Sequence, residues 1–350
     1  MKQKLLILFL ILCVGIISCS KKESFNDGYY FSIDEPYILI SISNDTMIFE
    51  NVLCTDTFTY KHQKHNIVIL SPINNIGSVI NLQYNLHPNG FELLQGDTLF
   101  RFVRTPFDNA TDFYLDSKGY QFNIAKLENP QYITHQNLIV NLFVEIENDS
   151  CKLIINEKQT ELASLKSDFQ TALSNFEEFE HPLVVLRLFV DKDVEINKLE
   201  PILKQTIGLF RKIAFAVKPS YINHSRSKSY YYSFFDYVFF VNDSVHLQFK
   251  DKSYVSINSK NYANTDSFKN EIKNNLNHAE YAFIKFQMTK GMSIQEYIKS
   301  KNLVYSIIDS LREDYSIKSY GCSFDEVENE IERRKIIEKF PRLVINECEN

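Results

Sequence analysis

The sequence predicts an α+β protein in which an antiparallel β meander, a small sandwich or a barrel, precedes two segments of mixed strands and helices. Between Tyr29 and about Thr105, short runs of alternating apolar and polar residues are separated by turn residues, which is typical of hairpin-connected strands. From Leu138 onward, apolar runs of strand length alternate with apolar residues at helical spacing. The 28 Phe and 20 Tyr residues, with no Trp, also favour a strand-rich chain.

Residues 1–18 have the order of a secretory signal peptide, a short basic segment followed by the apolar run Leu5–Ile17. That run of about 13 residues is too short for a permanent membrane span, which needs about 20. The sequence Ile16-Ile17-Ser18-Cys19 at its end resembles the lipobox of bacterial lipoproteins. The resemblance implies cleavage before Cys19, diacylglycerol on the Cys19 thiol, acylation of the new amine, and a lipidated tether over residues 19–28.

Ser20 follows the cysteine at the position where lipoproteins retained at the inner membrane typically carry Asp. By this resemblance the outer membrane is favoured, and its face is left open. Two or three acyl chains hold a protein at a membrane, whereas a single chain binds reversibly. We therefore expect a lipid-anchored protein of the cell envelope.

The β-rich domain is expected over residues 29–136. Its strand runs include Tyr37–Ile42 and Val79–Tyr84, and Pro88-Asn89-Gly90 supplies one of its turns. A less regular stretch, Pro106–Gln136, leads out of the meander.

Residues 137–220 are predicted to form a unit of order ββαβαβ. The expected strands are Leu138–Ile146, Lys152–Asn156, Leu183–Val190 and Ile213–Val217, and the expected helices contain Leu162 to Leu173 and Ile196 to Phe210.

Residues 221–350 are predicted to repeat that order, followed by a C-terminal helix. The expected strands are Tyr237–Val241, Val245–Phe249, Tyr254–Asn258, Tyr281–Phe286 and Ile317–Tyr320, and the expected helices contain Phe268 to Leu276, Ile298 to Leu311 and Asp325 to Phe340.

The segment Leu138–Val217 resembles the periplasmic domain of the ExbD/TolR biopolymer-transport family. The residues that carry the resemblance are Leu153-Ile154-Ile155-Asn156, the strand from Val184 into the turn Asp191-Lys192-Asp193-Val194, and the closing strand Lys212–Val217. The resemblance implies contact with partner proteins, peptides or cell wall, beside an energy-transducing transport complex. In residues 221–350 the match is weaker, with Thr289-Lys290-Gly291-Met292 at the place of the Asp-Lys-Asp turn.

The motor subunits of that family carry a transmembrane helix with an acidic residue that exchanges a proton within the membrane. Here the apolar helix is the removable signal, and it contains neither Asp nor Glu. We therefore expect a protein that keeps only an extracytoplasmic binding role.

Composition limits the partners and the covalent chemistry. The net charge of −6, with no basic tail, gives no electrostatic footprint for nucleic acid. Besides Cys13 and Cys19 the chain has Cys54, Cys151, Cys322 and Cys348. Cys322 and Cys348 flank one predicted helix, so a disulfide between them and free buried thiols are both compatible with the sequence.

No motif indicates catalysis, a cofactor or a metal, because nucleophile elbows, phosphate-binding glycine loops and HExxH helices do not occur. Three patterns have simpler interpretations. His62 and His65 fit a solvated strand or turn, and the set Asp108, Asp112 and Asp116 fits a solvated helix face. Asp191 and Asp193 are interpreted as caps of the following helix.

The aromatic run Tyr230-Tyr231-Tyr232 with Phe234-Phe235 has two interpretations, a core strand or a surface platform for a sugar or peptide. The chain as a whole is predicted to be a non-catalytic envelope lipoprotein, with exposed sheet edges as the natural contact. The alternative is a carrier that captures a small ligand in the β-domain.

Overall fold

The computed structural model divides into two compact units, residues 1–119 with 225–230 and residues 120–224 with 231–350. The residues that it describes are 25–34, 38–50, 55–63, 66–70, 79–95, 97–107, 109–147, 150–220, 231–236, 239–240, 254–258, 270, 274, 283–288, 290–340, 342 and 344–348. Within these ranges no helix has the length and apolarity needed to cross a membrane.

The first unit contains a closed ring of eight antiparallel strands, each paired with its neighbour in sequence. These strands are β1 (Gly28–Ser32), β2 (Leu39–Ser43), β3 (Thr46–Glu50), β4 (Thr55–Gln63), β5 (Asn66–Leu70), β6 (Val79–His87), β7 (Gly90–Gln95) and β8 (Thr98–Thr105). The ring closes where Tyr29 of β1 pairs with Thr105 of β8. The predicted antiparallel meander is confirmed, and of the two expected forms it takes the barrel.

The barrel forms because alternate residues of each strand point to the same side. The inward-facing side chains make an apolar cluster of buried residues: Phe25, Tyr30, Ile40, Ile42, Met47, Tyr60, Tyr84, Phe91, Leu93 and Phe102. Position 90, the first residue of β7, requires glycine, because a Cβ there would lie 2.0 Å from the carbonyl oxygen of Phe102.

One helix, α1 (Ala110–Ser117), follows the barrel in the stretch expected to be irregular. It begins at Asn109, whose side chain accepts a hydrogen bond from the amide of Asp112. Phe113 of α1 stacks on Phe31 of β1 with ring centroids 4.9 Å apart. Phe31 lies next to the inward-facing Tyr30, so it points outward and α1 covers the outside of β1.

The second unit contains a mixed sheet of order β10-β16-β15-β14-β11-β12-β13, with β9 paired to β15. Its strands are β9 (Ala125–Leu127), β10 (Gln131–Tyr132), β11 (Ile139–Glu147), β12 (Ser150–Ile155), β13 (Lys158–Thr160), β14 (Val185–Val190), β15 (Lys212–Pro219) and β16 (Tyr232–Asp236), and its helices are α2 (Leu165–Leu173) and α3 (Glu200–Thr206).

The order from β11 to β15 agrees with the predicted ββαβαβ pattern, with β13 as an additional short strand. β14 lies between two parallel neighbours, β11 and β15, and all six of its residues are buried. The segment 120–136, assigned from the sequence to the first domain, supplies β9 and β10 to this sheet.

In the C-terminal part, the described residues include a separate sheet of order β17-β20-β19-β18 and two further helices. The strands are β17 (Phe239–Phe240), β18 (Tyr254–Asn258), β19 (Phe283–Met288) and β20 (Val344–Cys348), and the helices are α4 (Ile294–Tyr320) and α5 (Glu330–Lys339). α4 begins with a capping box between Ser293 and Glu296 and ends at Gly321, which has a φ of 75°.

The predicted repeat is not seen in the strand pairing. β18, expected to correspond to β12, pairs directly and in parallel with β19, whereas β12 has no pairing with β14. The strand expected at Ile317–Tyr320 is wrong, because these residues form the last turn of α4. The expected strand Val245–Phe249 lies outside the described residues, as does most of the expected helix Phe268–Leu276.

Candidate functional site

A cleft of about 200 Å³ lies between the β12–β13 hairpin and helix α2. Its apolar lining residues are Ile155 and Ala172. Its polar lining consists of Asn156, Lys158, Gln159, Thr160, Asp168, Thr171 and Asn175. A small cavity lined by several polar side chains beside apolar ones is suited to holding a polar ligand.

The hairpin that forms one wall turns at Asn156 and Glu157, which have φ values of 42° and 75°. Two successive positive φ values are the signature of a type I′ turn, and Asn tolerates this conformation better than most residues. The Asn156 side chain accepts a hydrogen bond from the Asn141 amide at 2.8 Å, and the Asn156 amide donates to the Asn141 carbonyl at 3.0 Å. These bonds fix the hairpin to β11.

Asp168, in the first turn of α2, is the acidic group of the cleft. The hydroxyl of Thr160 donates to Asp168 Oδ2, and Thr160 Oγ1 lies 3.1 Å from Ser164 Oγ. The hydrogen bond from Thr160 lowers the pKa of Asp168, aided by Ser164 and by the charge of Lys158, while desolvation opposes the change. Asp168 is therefore ionised at neutral pH and presents an anion to the cleft.

A buried polar cluster lies deeper in the second unit, where α4 packs on β16. Lys301 Nζ donates to Asp236 Oδ1 at 2.9 Å and to Oδ2 at 3.1 Å. The hydroxyls of Tyr297 and Tyr305 donate to the same carboxylate at 2.5 and 2.7 Å. Burial lowers the pKa of Lys301, and the charge and hydrogen bonds of Asp236 oppose that shift.

The spacing of this cluster follows from helix geometry, since Tyr297, Lys301 and Tyr305 are four residues apart and share one face of α4. The Asp236 and Lys301 side chains are 0% exposed, so this carboxylate does not meet a ligand from solvent. We interpret the cluster as a device that positions α4 on the sheet.

A second buried cation, Arg187, lies in the middle of β14. Its guanidinium carbon is 3.9 Å from the ring centroid of Tyr231 and 4.6 Å from that of Phe189. Its Nε donates to the side-chain oxygen of Asn141 at 2.9 Å. Arg187 thus fills the face of the sheet opposite to Leu186 and Leu188, between two aromatic rings.

The expected lipid-attachment residue, Cys19, lies outside the described residues, so lipid attachment stays a prediction. The two described cysteines, Cys151 and Cys322, are not joined to each other. The side chain of Cys348 is outside the described part of the chain, and the Cys322–Cys348 disulfide also stays a prediction. Neither the side chain of His62 nor any part of His65 is described.

The Asp191-Lys192-Asp193 turn does not cap the following helix, contrary to expectation, and no side chain caps the 3₁₀ turn Ile196–Leu199. Asp191 Oδ2 instead accepts a hydrogen bond from the Asn123 amide at 3.2 Å. The turn also contacts the start of α4, because the Ile294 amide donates to the Val194 carbonyl at 2.9 Å. The turn therefore joins three separate parts of the second unit.

Of the two interpretations of the aromatic run, the core strand is correct for the described residues. Tyr231, Tyr232 and Phe234 are each 5% exposed or less. Phe234 stacks on Tyr305 of α4, with ring centroids 5.9 Å apart. A surface platform for sugars or peptides is therefore excluded at these three rings.

Sequence reasoning missed both Asp168 and the Asp236 cluster. Tyr297, Lys301 and Tyr305 carried a signal, since a polar stripe at four-residue spacing interrupts the buried face of α4. Asp168 carried none, because an Asp in the first turn of a helix is ordinary. Within the described ranges, no three His, Cys, Asp or Glu side chains converge as a metal site would require.

No family model, curated protein or solved structure matches this chain.

Proposed function

We propose that the chain is a bacterial envelope lipoprotein, anchored through Cys19, that binds a partner protein, peptide or cell-wall fragment without catalysing a reaction. The anchor is supported by the signal-like residues 1–18 and the lipobox-like Ile16-Ile17-Ser18-Cys19. The outer membrane is the proposed location, because Ser20 follows the cysteine.

The binding role is carried by the cleft between the β12–β13 hairpin and α2. It combines the ionised Asp168 with the amides of Asn156, Gln159 and Asn175 and the ammonium of Lys158. Such a set can pair with the amide, hydroxyl and ammonium groups that peptides and cell-wall fragments contain.

Within this proposal, residues 137–220 alone form an ExbD/TolR-like module. The order of elements from β11 to β15 supports it, and so does the turn at Asp191, which follows a buried strand. Residues 221–350 are not proposed to form a second such module, because β18 pairs directly with β19. A partner in an energy-transducing complex is therefore proposed for the segment that also holds the cleft.

The edges of the mixed sheet are a poorer contact than the cleft. In the mixed sheet the edge strands are β13, with three residues, and β10, with two. Very short edge strands limit the number of backbone hydrogen bonds that an added strand could form, and proteins use them to prevent such pairing. The partner is therefore expected to meet side chains of the cleft.

In-cell photocrosslinking tests this proposal. A crosslinking amino acid replaces Gln159 in the cleft, and a matched variant carries it at the exposed Glu328, away from the cleft in the same unit. Recovery of one defined protein or wall fragment from position 159, and not from 328, would support the cleft as the binding site. Equal recovery from both positions, or none from either, would contradict it.

The carrier alternative needs a cavity inside the barrel. The ten buried side chains of the inner cluster pack together there, which disfavours a preformed apolar cavity among the described residues. Native mass spectrometry of the detergent-extracted protein separates the two functions. A retained small molecule whose loss follows a bulkier substitution at Leu93 would favour the carrier.

A further inference from the structure

Phe25 is the first residue that the structure describes, three residues before β1 begins. Its ring is in the barrel interior, with only 6% of the residue exposed. The ring centroid lies 4.6 Å from that of Phe91, 5.5 Å from Tyr84 and 5.6 Å from Tyr60. Phe25 therefore belongs to the barrel core although it precedes the first strand.

The two residues after Phe25 are also held. The hydroxyl of Tyr30 donates to the Asn26 carbonyl at 2.6 Å, and Asp27 Oδ1 accepts from the Asn44 amide at 2.9 Å. Arg104 Nη2 donates to the Asp27 carbonyl at 2.7 Å. The chain is thus fixed to the barrel from Phe25 onward. The segment that separates Cys19 from the barrel therefore ends at Phe25, and not at Gly28 where β1 begins.

Only Ser20 to Ser24 separate the proposed lipid-bearing Cys19 from Phe25. A fully extended chain gains at most about 3.6 Å per residue, so Phe25 lies within about 22 Å of Cys19. The acyl chains hold Cys19 at the level of the lipid headgroups, and the barrel core begins within that distance of them.

The two ends of the barrel are distinguished by where its connections lie. We call the near end the one with the β2–β3 turn at Asn44, the β6–β7 turn at Asn89 and the end of β8 at Thr105. Asp27 contacts residues of this end only, through Asn44 and Arg104. We call the far end the one with the β7–β8 turn at Asp97.

We propose that the near end of the barrel is a membrane-facing surface, held against the lipid headgroups by the short tether, with the far end directed away. The proposal rests on lipid attachment at Cys19. Asn44, Asp45 and Asn89 give this end a polar surface, which suits contact with hydrated headgroups and not insertion into the acyl layer.

The absence of Trp from the chain makes a direct test simple. Single variants Asn89→Trp at the near end and Asp97→Trp at the far end, both at exposed positions, each introduce one selectively excited fluorophore. The lipidated full chain is reconstituted into vesicles of phosphatidylethanolamine and phosphatidylglycerol that contain dansyl-headgroup lipid. Energy transfer from Trp to dansyl then reports the height of each end above the headgroups.

The eight residues of β8 span about 23 Å along the strand, so we expect transfer at least about twofold stronger from Asn89→Trp than from Asp97→Trp. Inserting a flexible linker of about ten residues between Ser24 and Phe25 lengthens the tether by up to about 35 Å and should remove the difference. Loss of the difference with the linker identifies the tether as its cause.

Mass spectrometry of the N-terminal peptide shows separately whether Cys19 carries lipid. Lipidated protein with equal transfer from both positions would overturn the membrane-facing surface and leave the anchor intact. Protein without lipid on Cys19 would overturn the anchor and this inference together. A difference between the two positions that persists with the long linker would also overturn the role of the tether.

Discussion

The barrel of the first unit and the mixed sheet of the second unit are specified by different means. Every strand of the barrel pairs with its neighbour in sequence, and its inner cluster consists of apolar and aromatic residues. The second unit instead joins distant segments and buries four charged side chains, Arg187, Asp236, Lys301 and Arg312. Alternation of apolar and polar residues suffices for the barrel, whereas in the second unit we infer that polar contacts select one helix position.

The reason lies in the alternatives open to each region. A one-residue slip in the barrel would turn every inward side chain outward, so the apolar pattern alone excludes it. An amphipathic helix can move one turn along an apolar sheet and still bury its face. The carboxylate of Asp236 meets Lys301, Tyr297 and Tyr305 together in only one position of α4.

The strongest test of this difference is the Lys301→Met variant. It leaves Asp236 buried without its cation, and removing one partner of a buried pair costs about 3–5 kcal/mol of unfolding free energy. Urea unfolding followed by a probe in the second unit measures the loss. The double variant with Asp236→Leu should recover much of it, and equal losses in both variants would contradict the pairing argument.

The corresponding test in the barrel is Phe25→Ala. Replacing a buried Phe by Ala costs about 3–5 kcal/mol, and the lower end is expected because the terminal segment can move away from the barrel. Unfolding of the first unit is the measurement. Phe25→Leu is the control and should cost less than about 1.5 kcal/mol. A barrel unaffected by either change would show that Phe25 is not part of its core.

A smaller effect is expected from Gly90→Ala at the start of β7. The new Cβ would meet the Phe102 carbonyl oxygen at 2.0 Å, so the backbone must shift at a cost of about 1–3 kcal/mol. The neighbouring Asn89→Ala, at an exposed side chain, should stay within about 0.5 kcal/mol. Equal stabilities of the two variants, from thermal unfolding, would contradict the close approach.

The smallest effect is the acid dependence carried by Asp168. Its folded-state pKa lies below the ordinary value of 3.8, so its contribution to stability is present above about pH 3.8 and is lost as the pH falls through the lowered pKa. Asp168→Asn should therefore flatten the decline of stability below pH 3.8. Asp112→Asn, in α1 of the other unit, is the control, and an unchanged profile for Asp168→Asn would refute the assignment.

The alternating pattern made the barrel strands predictable from the sequence. Strands such as Val79–His87 and Gly90–Gln95 follow from alternation and the turn between them. The expected strand at Ile317–Tyr320 failed because a short run with an Ile and two Tyr nearby fits either structure. In the structure Ile317 is 54% exposed, on the outer face of α4. That helix begins at the capping box of Ser293 and continues through Tyr320.

The candidate site was harder to predict because its residues meet only after folding. Thr160 and Asp168 are eight residues apart and come together because the β12–β13 hairpin packs on α2. Asp236 and Lys301 are separated by 65 residues. Thr160 and Asp168 have no local spacing that distinguishes them from surface residues, and the spacing of Tyr297, Lys301 and Tyr305 does not indicate their partner Asp236.

The closure of the barrel through β1 and β8 has a mechanical consequence. β1 begins at Gly28 and β8 ends at Thr105, at the same end of two adjacent antiparallel strands. If Cys19 carries the proposed lipid, a pull between it and the rest of the chain would first draw Phe25 out of the core and would then peel β1 from β8 without shearing them. The β1–β8 pairs would separate one at a time, first Tyr29–Thr105 and then Tyr30–Arg104. Because each pair is loaded in turn, the barrel would open at low force.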